Sequence, residues 1–288
     1  MSDDPHAPGG GVTRAEPEPG TWYKRRFTWE WLGELWAARP LTGSLVRREF
    51  QSRYHQTRLG LLWAVITPVL LLVVFVFVFN RVTGLGGDSD ADYAVSTYLG
   101  LLPWTFFASS VSRGGQSLVL EAASVNKVRA PREVFPLTYI AIALVDFAIA
   151  VALLPLLFIL SGNSPAPESY WVLVALVVQI VFTVGVTLIV AGVVVFIRDL
   201  GQALPLIIQM GLFATPVAYP IDLSPGWEKV YSAVNPLVAV IDTYRAAVLG
   251  GEAPDWGLLS IASASSLILL TGGYLIFKRL EPEMADVA

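Results

Sequence analysis

The segment VFPLTYIAIALVDFAIAVALLPLLFIL, residues 134–160, runs for 27 residues with a single charge, Asp146. A helix of about 20 apolar residues, rising 1.5 Å per residue, crosses the roughly 30 Å hydrocarbon core of a bilayer. The run is too long and too uniformly apolar for a barrel strand, and open backbone is not tolerated in lipid, so it is predicted to be a membrane-spanning helix. Five further stretches read the same way. They are 60–80, which carries no charge; 94–112, which ends at Arg113; 169–197, long enough to tilt or to break near Gly185; 201–218, short and bounded by prolines; and 256–277. The expected fold is all-α and polytopic, with six transmembrane helices within residues 60–277.

Composition points the same way. Of 288 residues, 55% are hydrophobic and only 15% charged, against roughly 25% charged in a soluble domain. With no cysteine, disulfides, thiolate metal sites and cysteine nucleophiles are excluded. His6 and His55 stand far apart, which excludes a multi-histidine metal site and leaves no serine–histidine–acid set. Residues 1–20 are rich in proline, glycine and acid, the composition of a disordered tail. The first long apolar run begins near residue 60, after a polar segment, so no cleavable signal is expected.

The net charge of −4 identifies no partner, but the distribution of charge sets orientation. All but three of the 19 lysines and arginines fall in the N-terminal segment, in the loop after span two, after span four, or after span six. The exceptions are Arg81, Lys229 and Arg245. Positively charged loops stay in the cytoplasm, so both termini, including the tail 278–288, are predicted to be cytoplasmic.

Two regions lie outside the simple spans. In TWEWLGELWAARP, residues 28–40, Trp29, Leu32, Leu35 and Trp36 share a helical face opposite Glu30 and Glu34. Thr28 is a plausible N-cap and Pro40 a plausible stop, and Lys24, Arg25 and Arg26 precede the helix. The segment 21–58 is therefore expected to be cytoplasmic, its helix lying in the membrane interface. Residues 217–255 are broken by Pro220, Pro225, Pro236 and Pro254 but allow two short helices, over 227–233 and 237–249. Dipping back from the outer face would satisfy their backbone against protein or a water-filled cavity. No internal repeat is evident.

Chemistry-bearing residues are few. Asp146, the only full charge deep within a span, either serves a proton relay or polar substrate, or holds helices together. Asp88, Asp90 and Asp92 alternate in an outer loop, where a metal-holding DxD pair of a glycosyltransferase competes with an ordinary solvated loop. Gly114 and Gly115 belong to no phosphate loop, because no lysine stands in the required frame. If ATP drives the chain, another subunit binds it. Ser109, Ser112, Arg113 and Gln116 form a polar stripe on the inner half of span two, consistent with a pore wall or with close helix packing. Aromatics such as Trp104, Tyr219 and Tyr244 suit interfacial anchoring, or stacking on sugars in a glycan channel.

Several segments together resemble one family. RREFQSRYHQTRLGLLWAVITPVLLLVVFVFVF (47–79), YLGLLPWTFFASSVSRGGQSLV (98–119) and NKVRAPREVFPL (126–137) are similar, in order, to the permease subunits of ABC type-2 polysaccharide exporters. TPVAYPIDLSPGW (215–227) and NPLVAVIDTYRAAVLGG (235–251) extend the resemblance, which runs from about residue 22 to 280. It implies a homodimeric permease, with two copies of a separate ATPase that binds ATP and Mg, exporting a lipid-linked glycan. O-antigen, capsule, teichoic acid and cell-wall galactan are the cargoes of that class, and a low Lys/Arg ratio of GC-rich type hints at the last two. A drug or small-lipid permease is the alternative.

The resemblance also implies roles by position. Ala122, Ala123, Ser124, Val125, Asn126, Lys127 and Val128, with Arg129 and Arg132, would dock on the ATPase. Arg47, Arg48, Arg53, Tyr54 and Arg58 would meet a lipid diphosphate at the membrane entrance, although positive-inside anchoring alone explains such arginines. Trp104, Ser109, Ser112, Arg113, Gln116 and Asp146 would line the channel. Tyr219, Pro220, Asn235, Pro236, Tyr244 and Arg245 would belong to an outer gate.

Overall fold

A computed structural model describes residues 30–55, 60, 62–78, 90–122, 130–219 and 224–284. The tail 1–20, Thr28, Arg58, Asp88, residues 123–129 and Pro220 lie outside the described residues. Every described element is helical. The chain begins with α1 (Glu30–Ala37), α2 (Arg39–His55) and α3 (Leu62–Phe75). Next, α4 (Asp90–Ser109) runs through a π-helical turn, Ser110–Gly114, into α5 (Gly115–Leu120). Then come α6 (Val134–Val151), α7 (Leu154–Ser161), α8 (Val172–Val194) and α9 (Arg198–Ala214). The short helices α10 (Pro225–Val234) and α11 (Leu237–Arg245) precede the final helix, α12 (Trp256–Leu280).

Among the described residues, three stretches are long and apolar enough to cross a membrane: Val134–Ser161, Pro167–Val194 and Trp256–Leu280. Leu62–Val78 is a shorter apolar helix. The molecule is thus an all-helical, polytopic membrane protein. Its main core gathers Tyr98 and Phe106 of α4, Phe147 of α6, Phe182 of α8, Ile241 of α11 and Ala262 of α12. A smaller cluster joins Leu118, Phe135, Leu188, Phe277 and Met284. Large apolar side chains such as Leu70, Ile159, Leu173 and Ile268 point outward, as lipid-facing residues do.

Local chemistry explains where these helices stop. Pro155 lacks an N–H, and its ring opposes the Val151 carbonyl, so α6 ends there and α7 restarts after two turn residues. Pro40 differs from expectation: it is the second residue of α2, not a stop. In a first turn proline gives up only an N–H that the helix leaves unpaired anyway, so the break falls at Ala38 instead.

Gly185 does not break α8, which runs on to Val194. Its role is packing. A Cβ at Gly185 would lie 2.6 Å from the Leu270 nitrogen of α12, and one at Gly273 would collide with the Gly185 carbonyl. The two backbones touch there, and α12 lies against α8 more extensively than any other pair of elements. Small residues at the contact make that approach possible.

Candidate functional site

The charged residues that the sequence scatters converge at one junction. α2 packs on α6, and Arg53 donates to the Asp146 carboxylate at 2.5 Å. Five residues earlier on α2, Arg48 pairs with Glu121 beyond the end of α5 at 2.7 Å, while Arg47 is exposed. Arg113 sits on the π turn, within electrostatic reach of Glu49, Arg53, Tyr139 and Asp146. The widened turn packs on both α6 and α8. Gly114 and Gly115 face Thr187 and Val190 so closely that a Cβ on either would stand 2.6 or 2.5 Å from a methyl group. Those glycines serve helix packing.

The remaining polar stripe is divided. Gln116 donates to the Ser112 carbonyl at 3.0 Å, and Ser109 and Ser112 are half-buried. Trp104 is buried against Gly211 of α9, its ring 5.7 Å from Phe107, which stacks on Phe182. Sequence reasoning missed Gln179, a buried amide on α8. It donates to the Pro103 carbonyl at 2.8 Å and accepts from the Tyr244 hydroxyl at 3.3 Å, joining α8 to α4 and α11.

At the opposite end of α4, the backbone after α9 is held by a ring of side-chain donors. Arg245 sends its guanidinium to the carbonyls of Ser96 (3.1 Å), Pro216 (3.0 Å) and Val217 (2.5 Å). Tyr93 donates to the Ala218 carbonyl at 2.5 Å, Tyr219 to that of Phe213, and Tyr231 to that of Ala214. Asn235 reaches the Thr215 hydroxyl at 2.8 Å, with the buried Pro236 starting α11 behind it. These carbonyls of residues 213–218 lack a helical partner because the chain leaves helix at Ala214, so side chains satisfy them, while the Ser96 carbonyl anchors Arg245 to α4. Of the aspartates read as a possible metal pair, Asp90 opens α4 and Asp92 accepts from the Asn163 amide.

A third polar cluster lies where the 123–129 stretch rejoins described chain. Ala122 ends the segment after α5, and Arg132 donates to the Glu281 carbonyl at 2.9 Å. Glu133, 2% exposed, pairs with Lys278 of α12, which also binds Glu281 at 2.8 Å. Burial, with Glu281 nearby, raises the Glu133 carboxyl above its ordinary range. Arg132, read for ATPase docking, places its guanidinium on the Glu281 carbonyl; Glu133, Lys278 and Glu281 showed in the sequence only as charges flanking spans, so their cluster went unread.

Helices long enough to span a bilayer, with polar clusters at the α2–α6 junction, after α9 and beside the end of α12, define a polytopic membrane protein. A family model described as ABC-2 type transporter matches residues 40–249. The chain belongs to the ABC-2 type transporter family. It is 30% identical to the O-antigen export system permease protein RfbA of Myxococcus xanthus, over 88% of this chain and 97% of that protein. A Klebsiella pneumoniae protein of the same name is 27% identical, over 84% of this chain and 93% of the relative. The polysialic acid transport protein KpsM of Escherichia coli is also 27% identical, over the same shares.

Proposed function

We propose that this chain is the membrane-spanning permease subunit of an ATP-driven exporter that carries a lipid-linked polysaccharide across the cytoplasmic membrane. One observation carries the reading: relatives named for O-antigen export and polysialic acid transport align over at least 84% of the chain. ATP and Mg belong to a separate ATPase, present in two copies, because no phosphate-loop frame exists in this sequence. Two permease copies form the conduit, with both termini in the cytoplasm. The outward apolar side of α9, bearing Leu206, Met210 and Phe213, suits a second copy or lipid.

In this reading the segment 122–132 receives the ATPase. Arg47, Arg48 and neighbouring α2 cations meet the substrate's phosphates, for which guanidinium groups have matching geometry. The donor ring around residues 213–218 belongs to the outer exit. Depleting the protein is expected to make lipid-linked polymer accumulate on the inner side of the membrane. Unchanged polymer at the surface and no inner pool would overturn the proposal. Stimulation of the complex's ATPase by a hydrophobic drug, without response to glycolipid, would favour the drug-permease alternative.

A further inference from the structure

The segment that would face an ATPase does not simply lead into α6. Directly after it, Glu133 is buried and ion-paired to Lys278, Lys278 also holds Glu281, and Arg132 binds the Glu281 carbonyl at 2.9 Å. Residues 132–133 are thereby fastened to the end of α12, a helix 149 positions away in sequence. The second carboxylate oxygen of Glu133 is buried with no hydrogen-bond partner. Its attachment therefore rests on Lys278.

α12 is built to carry a displacement. It runs 25 residues with no internal proline, and Asp255 caps its start by accepting from the Gly257 and Leu258 amides. At 1.5 Å per residue it spans roughly 37 Å, more than the hydrocarbon core. The Gly185–Gly273 contact locks it to α8 along the way. At its far end Leu258, Leu259 and Ala262 share the core with Leu237 and Ile241 of α11, and both α10 and α11 pack on it. α6 offers no equal path: it breaks after Val151 and continues as α7, which ends in an exposed turn at Gly162.

We propose that Glu133 and Lys278 are positioning residues that pass movement arriving at Arg132 and Glu133, the entry to α6, to α12, and along it to the short helices α10 and α11. The proposal rests on the ATP-driven reading above. Packed helices of this kind move as rigid bodies between discrete arrangements, so one ion pair at the end decides whether the strut follows the loop.

The test uses the full complex with its ATPase subunit in proteoliposomes. The chain has no cysteine, so W227C on α10 and Y170C beside α8 form a clean spin-label pair. ATP with vanadate should change the label distance in the otherwise wild-type complex. E133Q and K278Q should lose most of that change and lower polymer exported per ATP at least tenfold, with ATPase within about twofold of wild type. The charge-swapped triad E133K/K278E/E281K should restore both readouts, which mere structural damage would not allow. Label movement that persists in E133Q, ATPase and export falling in proportion, or a swap that rescues neither would overturn the proposal. Movement in the wild type without any polymer export would instead sink the polysaccharide reading and leave the strut standing. No nucleotide response in the wild type would remove the ATP-driven reading and this inference with it.

Discussion

Arg53 and Asp146 show how a single ion pair resolves a charge that lipid does not tolerate alone. A carboxylate at mid-span must be neutral, hydrated or paired, and here it is paired across 93 residues of sequence. Both side chains keep some exposure, 25% and 15%, so the loss on removing one lies below the 3–5 kcal/mol of a fully buried pair, at about 2 kcal/mol. D146N is expected to lower unfolding stability in detergent by about that amount, read as a lower thermal midpoint, and R53D/D146R to recover most of it. An unchanged midpoint in D146N would show the pair to be idle. Arg245 gives the second prediction at this scale. R245K keeps the charge but loses the fork that serves three carbonyls, a loss of about 2–4 kcal/mol. G100A should imitate it, because a Cβ there would stand 2.5 Å from the Val217 carbonyl and 2.9 Å from the guanidinium. Melting curves of both variants that overlay the wild type would contradict this. The sequence marked Asp146 as costly, yet nothing local named Arg53, which sat in a segment read as cytoplasmic interface. Pairing at such separation is a property of the fold.

Glycines and prolines set the behaviour of the elements. Gly272 and Gly273 are neighbours on α12 with opposite surroundings: nothing lies within 4 Å of a Cβ on the first, while a Cβ on the second meets the α8 backbone. G272A should be neutral or stabilising by up to about 1 kcal/mol, since alanine is the better helix former. G273A should destabilise by about 1–3 kcal/mol as α8 and α12 are forced apart. Equal melting temperatures for the two would refute the close-contact reading. Helix existence was legible in sequence wherever apolar runs were long, as over 134–160. Glycine roles were not, because a glycine reads alike as hinge, turn or contact until its neighbour is known; Gly185 was read as a possible break and is a contact. Pro40 misled for a related reason, since a proline that stops one helix also suits the first turn of the next.

At the scale of the whole molecule, the described charged groups gather at the α2–α6 junction, around Arg245 after α9, and beside the end of α12, and the body they flank is apolar apart from Gln179 and a few hydroxyls. The proposed permease role would use such a division: a surface to receive work, a body to carry it, and an exit to respond. Much of this was visible in the sequence. Hydropathy marked the three long apolar helices, while the separate ATPase read from the missing phosphate loop stays part of the proposal. The order of five segments suggested the family that residues 40–249 match. The Gln179 relay and the Glu133–Lys278 clamp were hidden, because each joins helices whose residues have no pattern in common until the chain is folded. The most direct measurement of the central claim is transport by purified protein in sealed proteoliposomes loaded with lipid-linked polymer and ATP. The account predicts ATP-dependent movement of polymer only when the chain and a nucleotide-binding ATPase are reconstituted together. Movement of polymer by this chain alone, or none with both subunits active in ATP hydrolysis, would contradict it.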